Sequence, residues 1–349
     1  MERVLLVLHT EPDGALGKAA LESISVARAL ALEVAAGEWA IGIVGARAIE
    51  AGHSVGNCGA TRWLAVSGRE FGQSRYATDV LAVEAIWRAV NPTLVLAPGT
   101  SRWRRAIPGA AFRMGAAIDT HASEVKVLDG QVVLRRWYYR QRIEAIQSRT
   151  HRPWCILTEP GTVEPFVASG ASVTVESLEV SAPPEVLRTT VEGIQAPPAD
   201  EQTIRPDAEL LFVAGAGWTK KQADGKVHVE EAAQLILEFL RLTKCSLGSS
   251  KSLVDMASEG QAVLPFLTHL HQVGQTGSTP RHPKGLATCC HGEEPHVVGW
   301  RFIRERRAIN LDPNCGWAQG KADVLYVADA FEVMRELNRL LKEKEEATG

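Results

Sequence analysis

With 349 residues, 45% of them hydrophobic and 23% charged, the chain has the composition of an ordinary globular protein with room for two or three domains, which excludes wholesale disorder, a collagen-like repeat and a coiled coil. Thirty-eight Lys and Arg stand against 41 Asp and Glu, a formal net charge of −3, so the basic excess of a nucleic-acid binder is missing. No apolar run approaches the roughly 20 residues that a membrane-spanning helix needs.

The first apolar run, Val4 to Leu8, is too short for the core of a secretory signal and has no small-residue cleavage site after it. It reads as a buried first strand and points to the cytoplasm. Six scattered cysteines, at 58, 155, 245, 289, 290 and 315, fit a reducing compartment better than a disulfide framework. Residues 15–34 carry apolar side chains at helical spacing, and 39–44 and 62–66 read as strands. A helix over 79–90 is stopped by the Asn91-Pro92 breaker, and 93–97 is a further strand. Buried strands interleaved with helices predict a parallel sheet covered on both faces.

After Ala117 the pattern changes. Residues 125–128, 132–137 and 143–148 read as strands, and Asp129-Gly130 is a hairpin signal between the first two. Strands at 154–158 and 173–178 follow, which makes an antiparallel extension of the first domain. The polar, proline-rich stretch 194–206 reads as a linker between a domain over 1–193 and another over 207–349. The second domain opens on a strand at 210–214 and a helix over 228–242. Strands follow near 285–289, 307–311 and 324–327. The last helix spans about 329–344, with Asp329 as its N-cap. The fold class is α/β throughout.

Several groups of residues could carry chemistry. Gly215-Ala216-Gly217 after a strand is either a turn that lets backbone approach a phosphate or a plain strand exit. Gln272-Val273-Gly274-Gln275-Thr276-Gly277 can present amides and a hydroxyl to a ligand, or serve as a surface turn. Cys289, Cys290 and His291, with His282 before and His296 after, are zinc-ligand types, but adjacent cysteines suit one tetrahedral ion poorly and no CxxC pair exists. Arg102, Arg104, Arg105, Arg135, Arg136, Arg140, Arg142, Arg149 and Arg152 are interleaved with Trp137, Tyr138 and Tyr139. Their alternation favours a solvated or interface-lining sheet face over a nucleic-acid surface. No hydrolase, Walker or zincin motif occurs.

The second domain resembles the flavin domain of the electron-transfer flavoprotein alpha subunit. The 272–277 loop matches that family's loop at every position. His296 falls at the family's spacing, Ile309-Asn310-Leu311-Asp312-Pro313 resembles its Ile-Asn-Lys-Asp-Pro, and Ala328-Asp329-Ala330-Phe331 resembles its last helix start. The first domain resembles it more weakly. The resemblance implies an N-terminal α/β domain with a parallel sheet and an antiparallel extension, then a Rossmann-like FAD-binding domain. It implies FAD as cofactor, a beta subunit as heterodimer partner, an electron-donating dehydrogenase and a quinone-linked acceptor. Electrons would be carried rather than substrate transformed. An alternative is a relative that has lost flavin and serves as a structural or nucleotide-binding partner.

The same resemblance implies residue roles. Thr276 would offer its hydroxyl to flavin N5, with Gln272, Val273, Gly274, Gln275 and Gly277 shaping the loop. Ser250 would contact the cofactor, Asn310 and Asp329 would hold its adenosine end, and His296 would sit at the pyrimidine edge behind the loop of His291 and Gly292. Lys251 stands where the family has an arginine, keeping the charge but losing the planar guanidinium. Glu293 and Glu294 replace the family's Ala and Ile, a like charge beside an anionic cofactor that Lys220, Lys221 or Lys251 could neutralise. The resemblance also leads us to expect the Arg- and Trp-rich stretch from Trp103 to Trp154 to face the beta subunit.

Overall fold

The computed structural model describes residues 1–138, 143–192, 204–205, 208–255, 262–274, 280–289, 303–315 and 322–348. The chain divides into two compact units, Met1–Ile194 and Gln195–Gly349.

The first unit is built on a nine-stranded sheet of order β7-β6-β5-β8-β4-β1-β2-β3-β9. Its central strands are β1 (Val4–His9), β2 (Trp39–Gly45), β3 (Arg62–Ser67), β4 (Leu94–Pro98) and β8 (Trp154–Thr158), paired in parallel. Every residue of β1, β2, β4 and β8 is buried, because helices cover both faces. α1 (Lys18–Val34) sets Ile24, Ala27, Leu30 and Ala31 into one core layer. α3 (Tyr76–Val90) sets Val80, Val83, Ile86 and Trp87 into the other. α3 ends at Asn91 in the left-handed conformation, as the breaker predicts. β9 (Val175–Ser177) closes one edge.

The antiparallel extension is confined to three strands: β8 and β9, expected to belong to it, pair in parallel with β4 and β3 instead. β5 (Ala117–Leu128), β6 (Gln131–Tyr138) and β7 (Ile143–Ser148) pair antiparallel, and Asp129 and Gly130 both take positive φ in the predicted hairpin turn. β5 starts earlier than its apolar run because its first half pairs with β8. Two helices escape the sequence pattern: α2 (Ala48–Ser54), and α4 (Ser101–Arg113), which contains Pro108.

The arginine-rich segment departs from expectation. Arg102, Arg104 and Arg105 lie on α4, not on a sheet. Arg102 is buried and forks onto Asp79, with Nη2 2.7 Å from Oδ1 and a second bond to the Phe71 carbonyl. Asp119, also buried, accepts from Arg136, Arg149 and Trp154 Nε1. Trp103 and Trp154 have no exposed surface, so neither can anchor a partner. Trp103 Nε1 instead donates to the Val7 carbonyl inside the sheet. Part of the basic stretch is thus turned inward onto Asp79 and Asp119, while Arg104, Arg105 and Arg149 stay exposed; Tyr139, Arg140 and Arg142 lie outside the described residues.

The second unit holds a parallel sheet of order β11-β10-β12-β13-β14. Its strands are β10 (Leu210–Ala214), β11 (Ser246–Ser249), β12 (Lys284–Thr288), β13 (Glu305–Asn310) and β14 (Val324–Val327). In chain order this is 2-1-3-4-5, the doubly wound arrangement with its switch point beside the first strand. α5 (Val229–Thr243) presents Ala232, Leu235, Ile236 and Phe239, an i, i+3, i+4, i+7 stripe, to the core. A short helix α6 (Lys251–Asp255) follows β11, and α7 (Ala330–Thr348) closes the chain. Ile204 packs on the second unit's smaller core, and His282 donates to the Arg205 carbonyl at 2.7 Å. No helix among the described residues is long and apolar enough to cross a membrane.

Candidate functional site

Parallel strands deliver their C-terminal ends to one edge of a sheet, where the following loops diverge. In the second unit that edge carries Gly215 after β10, Ser250 after β11, Cys289 after β12, Asn310 at the end of β13 and Asp329 after β14. These are polar or small residues at the ends of five parallel strands.

The glycine turn is held by the neighbouring strand. Gly215 N–H donates to the Thr288 carbonyl at 2.8 Å and Gly217 N–H to the Cys289 carbonyl at 3.1 Å, so neither amide is left for a phosphate. Glycine is needed at 217 because a Cβ there would lie 2.7 Å from Cys289 Cβ. Of the two readings open from sequence, the strand exit explains these glycines. Trp218 secures the turn by donating Nε1–H to Thr288 Oγ1 at 2.8 Å and packing on Phe331 at 4.7 Å between ring centres.

On the other side of β10, Ser250 N–H bonds the Ala214 carbonyl, and Ser250 Oγ accepts from Leu253 N at the start of α6. The adjacent Ser249 is fully buried and its hydroxyl has no hydrogen-bond partner among the described residues. An unsatisfied buried hydroxyl costs about 1–3 kcal/mol, so its survival at a strand end points to a missing partner. Val273 N–H bonds the Ser249 carbonyl at 3.0 Å, and Gln272 bridges Ser249 in parallel, which fixes Gln272, Val273 and Gly274 beside Ser250. Gly248 permits this approach, since a Cβ there would meet Val273 at 2.6 Å. Gly274 adopts φ +126, open only to glycine.

Lys251 is half exposed and its Nζ lies 3.2 Å from Asp255 Oδ2. Asp255 also accepts from His269 at 2.9 Å. Burial raises the Asp255 carboxyl, but His269 and Lys251 together hold it below the usual range. The Lys251 charge is therefore met by Asp255. Glu293 and Glu294, considered as its partners from sequence, lie outside the described residues.

Across the sheet, Asn310 and Asp329 line one pocket of about 180 Å³ with Gly217, Lys220, Lys221 and Phe331. Asn310 is buried, and its Oδ1 accepts from Asp312 N. Asp329 caps α7 as expected, Oδ1 accepting from Phe331 N at 2.8 Å and Glu332 N at 3.2 Å. Cys289 takes φ +54 at the pocket wall, and burial, aided by the Asp329 carboxylate, pushes its thiol up to about 12.

The edge therefore brings together Ser250, Lys251, Gln272, Val273 and Gly274 on one flank and Asn310 with Asp329 on the other. Gln275, Thr276, Gly277, His291, Gly292 and His296 lie outside the described residues, as does Cys290. Among the described residues no cluster of His, Cys, Asp and Glu could hold a metal. Sequence reading missed Ser249 and Cys289 as a pocket wall; Lys220 and Lys221, named from sequence as partners for Glu293 and Glu294, line the pocket. The end of a readable strand was the signal for Cys289; none marked Ser249, because Ser246–Ser249 has no apolar pattern.

A sequence model of the family described as "Electron transfer flavoprotein domain" matches residues 4–183. "Electron transfer flavoprotein subunit alpha" of Mycobacterium leprae (strain TN) is 28% identical over 345 residues, covering 98% of this chain and 98% of that protein. The protein of the same name from Syntrophomonas wolfei subsp. wolfei is 25% identical over 331 residues, covering 95% and 96%. "Protein FixB" of Clostridium saccharobutylicum is 26% identical over 256 residues, covering 72% and 71%.

Proposed function

The chain belongs to the electron transfer flavoprotein family, as a divergent alpha-type member, and from that premise we propose that it binds FAD in its second unit and carries electrons as one half of a heterodimer with a beta subunit. The donor is a flavin-type dehydrogenase and the acceptor a quinone-linked oxidoreductase, with the cytoplasm as the compartment. FAD, when bound, supplies a two-electron store that can release electrons singly.

The observation that carries this reading is the strand-end edge itself. Five strand exits of a 2-1-3-4-5 parallel sheet converge there, with an orphaned Ser249 hydroxyl on one flank and an Asn310–Asp329 pocket on the other. These residues fit a long, polar dinucleotide laid across the switch point. Asn310 and Asp329 hold the adenosine end. Lys220 and Lys221 bring positive charge to that end of the site. Ser249 and Ser250 offer hydroxyls where β11 ends. Gln272, Val273 and Gly274 fix the start of the loop whose remaining members, Gln275, Thr276 and Gly277, shape the reactive side. Lys251 supplies a cation already shared with Asp255, so its pull on the cofactor is weaker than that of the family's arginine. His291, Gly292 and His296 complete the set.

Co-expression with the partner subunit and an absorbance spectrum test the reading. Flavin bands at about one FAD per heterodimer are expected. A colourless protein that also fails to take up added FAD overturns it and leaves the flavin-free structural subunit. Within a yellow protein, Thr276→Ala should shift the midpoint potential while melting stays within about ±0.5 kcal/mol of wild type. An unmoved potential removes Thr276 from the site.

A further inference from the structure

The flavin reading leaves His269 without a role, yet its ring stands in a charge relay that ends at Lys251. Lys251 opens α6 directly after Ser250, and Asp255 closes it four residues on. That spacing puts both side chains on one face, and Lys251 Nζ lies 3.2 Å from Asp255 Oδ2. The other carboxylate oxygen, Oδ1, faces His269 Nε2 at 2.9 Å. One carboxylate thus stands between a lysine and a group of the type that changes charge between pH 5 and 8.

His269 does not belong to α6. It lies in a short 3₁₀ turn, His269–His271, that runs directly into Gln272 and Val273, the pair bonded to Ser249. Thr268 braces the turn: its hydroxyl accepts from Leu270 N at 3.3 Å and its amide donates to His271 Nδ1 at 3.1 Å. The relay therefore joins the two segments, 250–255 and 269–274, that meet at the end of β11. Side-chain exposure is 48% for Lys251, 34% for Asp255 and 69% for His269, so protons and salt reach all three. Two elements pack on α6. One is the 3₁₀ turn, whose other titratable group, His271, is buried with Nδ1 turned to Thr268. The other is the turn Ala216–Thr219, which carries no charge; Lys220 and Lys221 after it line the Asn310–Asp329 pocket.

We propose that Asp255 is a positioning residue for Lys251, and that His269 sets how much of the Lys251 charge acts on the cofactor, so that pH adjusts the flavin potential through this relay. The inference rests on the flavin reading above. With His269 neutral, the Asp255 charge falls on Lys251 and offsets its pull. With His269 protonated, the imidazolium takes up part of that carboxylate and Lys251 regains its pull. Reduction brings negative charge to a flavin, so a less compensated cation nearby favours the reduced form and raises the potential. The relay thus adds an acid-side rise to the one that the flavin's own proton uptake gives. All three groups are partly exposed, which keeps the effect moderate and sensitive to salt.

Redox titration of the FAD-loaded heterodimer at pH 5.5 and pH 8 in low salt tests this, with flavin content and melting temperature measured for each variant. At pH 8, Asp255→Asn should raise the potential by about threefold in a one-electron equilibrium, or about 28 mV. At pH 5.5 its gain should be smaller, because the imidazolium already relieves Lys251. His269→Gln should leave the potential unchanged at pH 8 and lower it at pH 5.5. It touches an exposed turn and keeps the test open should Asp255→Asn loosen α6. In a Lys251→Met background both shifts should fall by more than half, whereas a direct field from Asp255 or His269 would persist. Raising the salt to 1 M should shrink both shifts. Potentials that do not move in either variant, or shifts that survive Lys251→Met intact, overturn the relay while leaving a yellow protein and the flavin reading in place. A wild-type protein that takes up no FAD overturns the reading itself, and the relay with it.

Discussion

Both units are parallel α/β sheets, yet they are stabilised differently. In the first, β1, β2, β4 and β8 are buried along their whole length between two substantial core layers. Charges inside it are paired, Arg102 with Asp79 and Arg149 with Asp119. In the second, one core layer is much larger than the other, and β14 leaves Val324, Tyr326 and Val327 exposed at the sheet edge. Its buried polar groups include Ser249, Thr288 and Asn310 at strand ends, and the Ser249 hydroxyl, like that of Thr10 in the first unit, has no partner among the described residues. The first unit is thus organised chiefly around its interior and the second around one edge of its sheet. Substitutions should report as stability in the first and as ligand retention in the second.

The largest effect is expected at Asp79. Asp79→Ala strands the Arg102 guanidinium in a buried site, and breaking such a pair costs about 3–5 kcal/mol. Denaturant unfolding should show it, with hydrogen exchange localising the loss to residues 1–138. A loss under about 1 kcal/mol would mean that Arg102 finds water and the first unit is less tightly built than described.

Acid should separate the units next. Burial, with Arg102 adding to it and the Thr10 carbonyl opposing, pulls His9 from 6.5 down to about 4. Its folded pKa lies below its unfolded one, so its stabilising contribution is present above pH 6.5 and lost as pH falls toward 4. The loss amounts to about 3 kcal/mol at most. His9→Asn should flatten that slope in the first unit. If the slope persists unchanged, another group carries it.

In the second unit, Gly217→Ala forces a Cβ against Cys289, and overpacking of this kind costs about 1–3 kcal/mol. Flavin retention should fall further than the melting temperature does. Equal losses would make the turn a purely structural feature. The smallest effect concerns Asp329. Asp329→Ala removes the α7 cap at about 1 kcal/mol, whereas Asp329→Asn keeps it. If both release flavin alike, the carboxylate contacts the cofactor. If only the alanine variant does, the cap alone matters.

The sequence was legible where physics is local. Apolar runs such as Val4–Leu8 and Trp154–Thr158 can only be buried strands, and Asp129-Gly130 demands its turn. Asp329 is readable as a cap because capping involves the next three amides only. β11 was illegible because Ser-Leu-Gly-Ser has no apolar pattern; it is held by neighbours, Ser246 bonding the Arg205 carbonyl at 3.3 Å. α4 was illegible because Pro108 and four arginines mask an amphipathic helix. The arginines misled for a related reason. Alternation along a strand shows which side chains share a face, but not that Asp119 waits on that face to receive them. Within the candidate site, a family likeness identified Asn310 and Asp329, whereas Ser249 becomes visible only when its hydroxyl is seen to lack a partner.

The cysteines carry a last consequence. Burial drives the Cys155 thiol far above its ordinary range, raises Cys58, and moves Cys245 to about 11 and Cys289 to about 12. At neutral pH all four are protonated, and a protonated thiol is a poor nucleophile. These sulfurs are chemically silent while the fold is closed and become reactive only when their surroundings open. Cys58 and Cys155 report on the first unit, Cys245 and Cys289 on the second. The rate at which an alkylating reagent marks each pair therefore serves as a clock for local opening, already divided between the two halves of the chain.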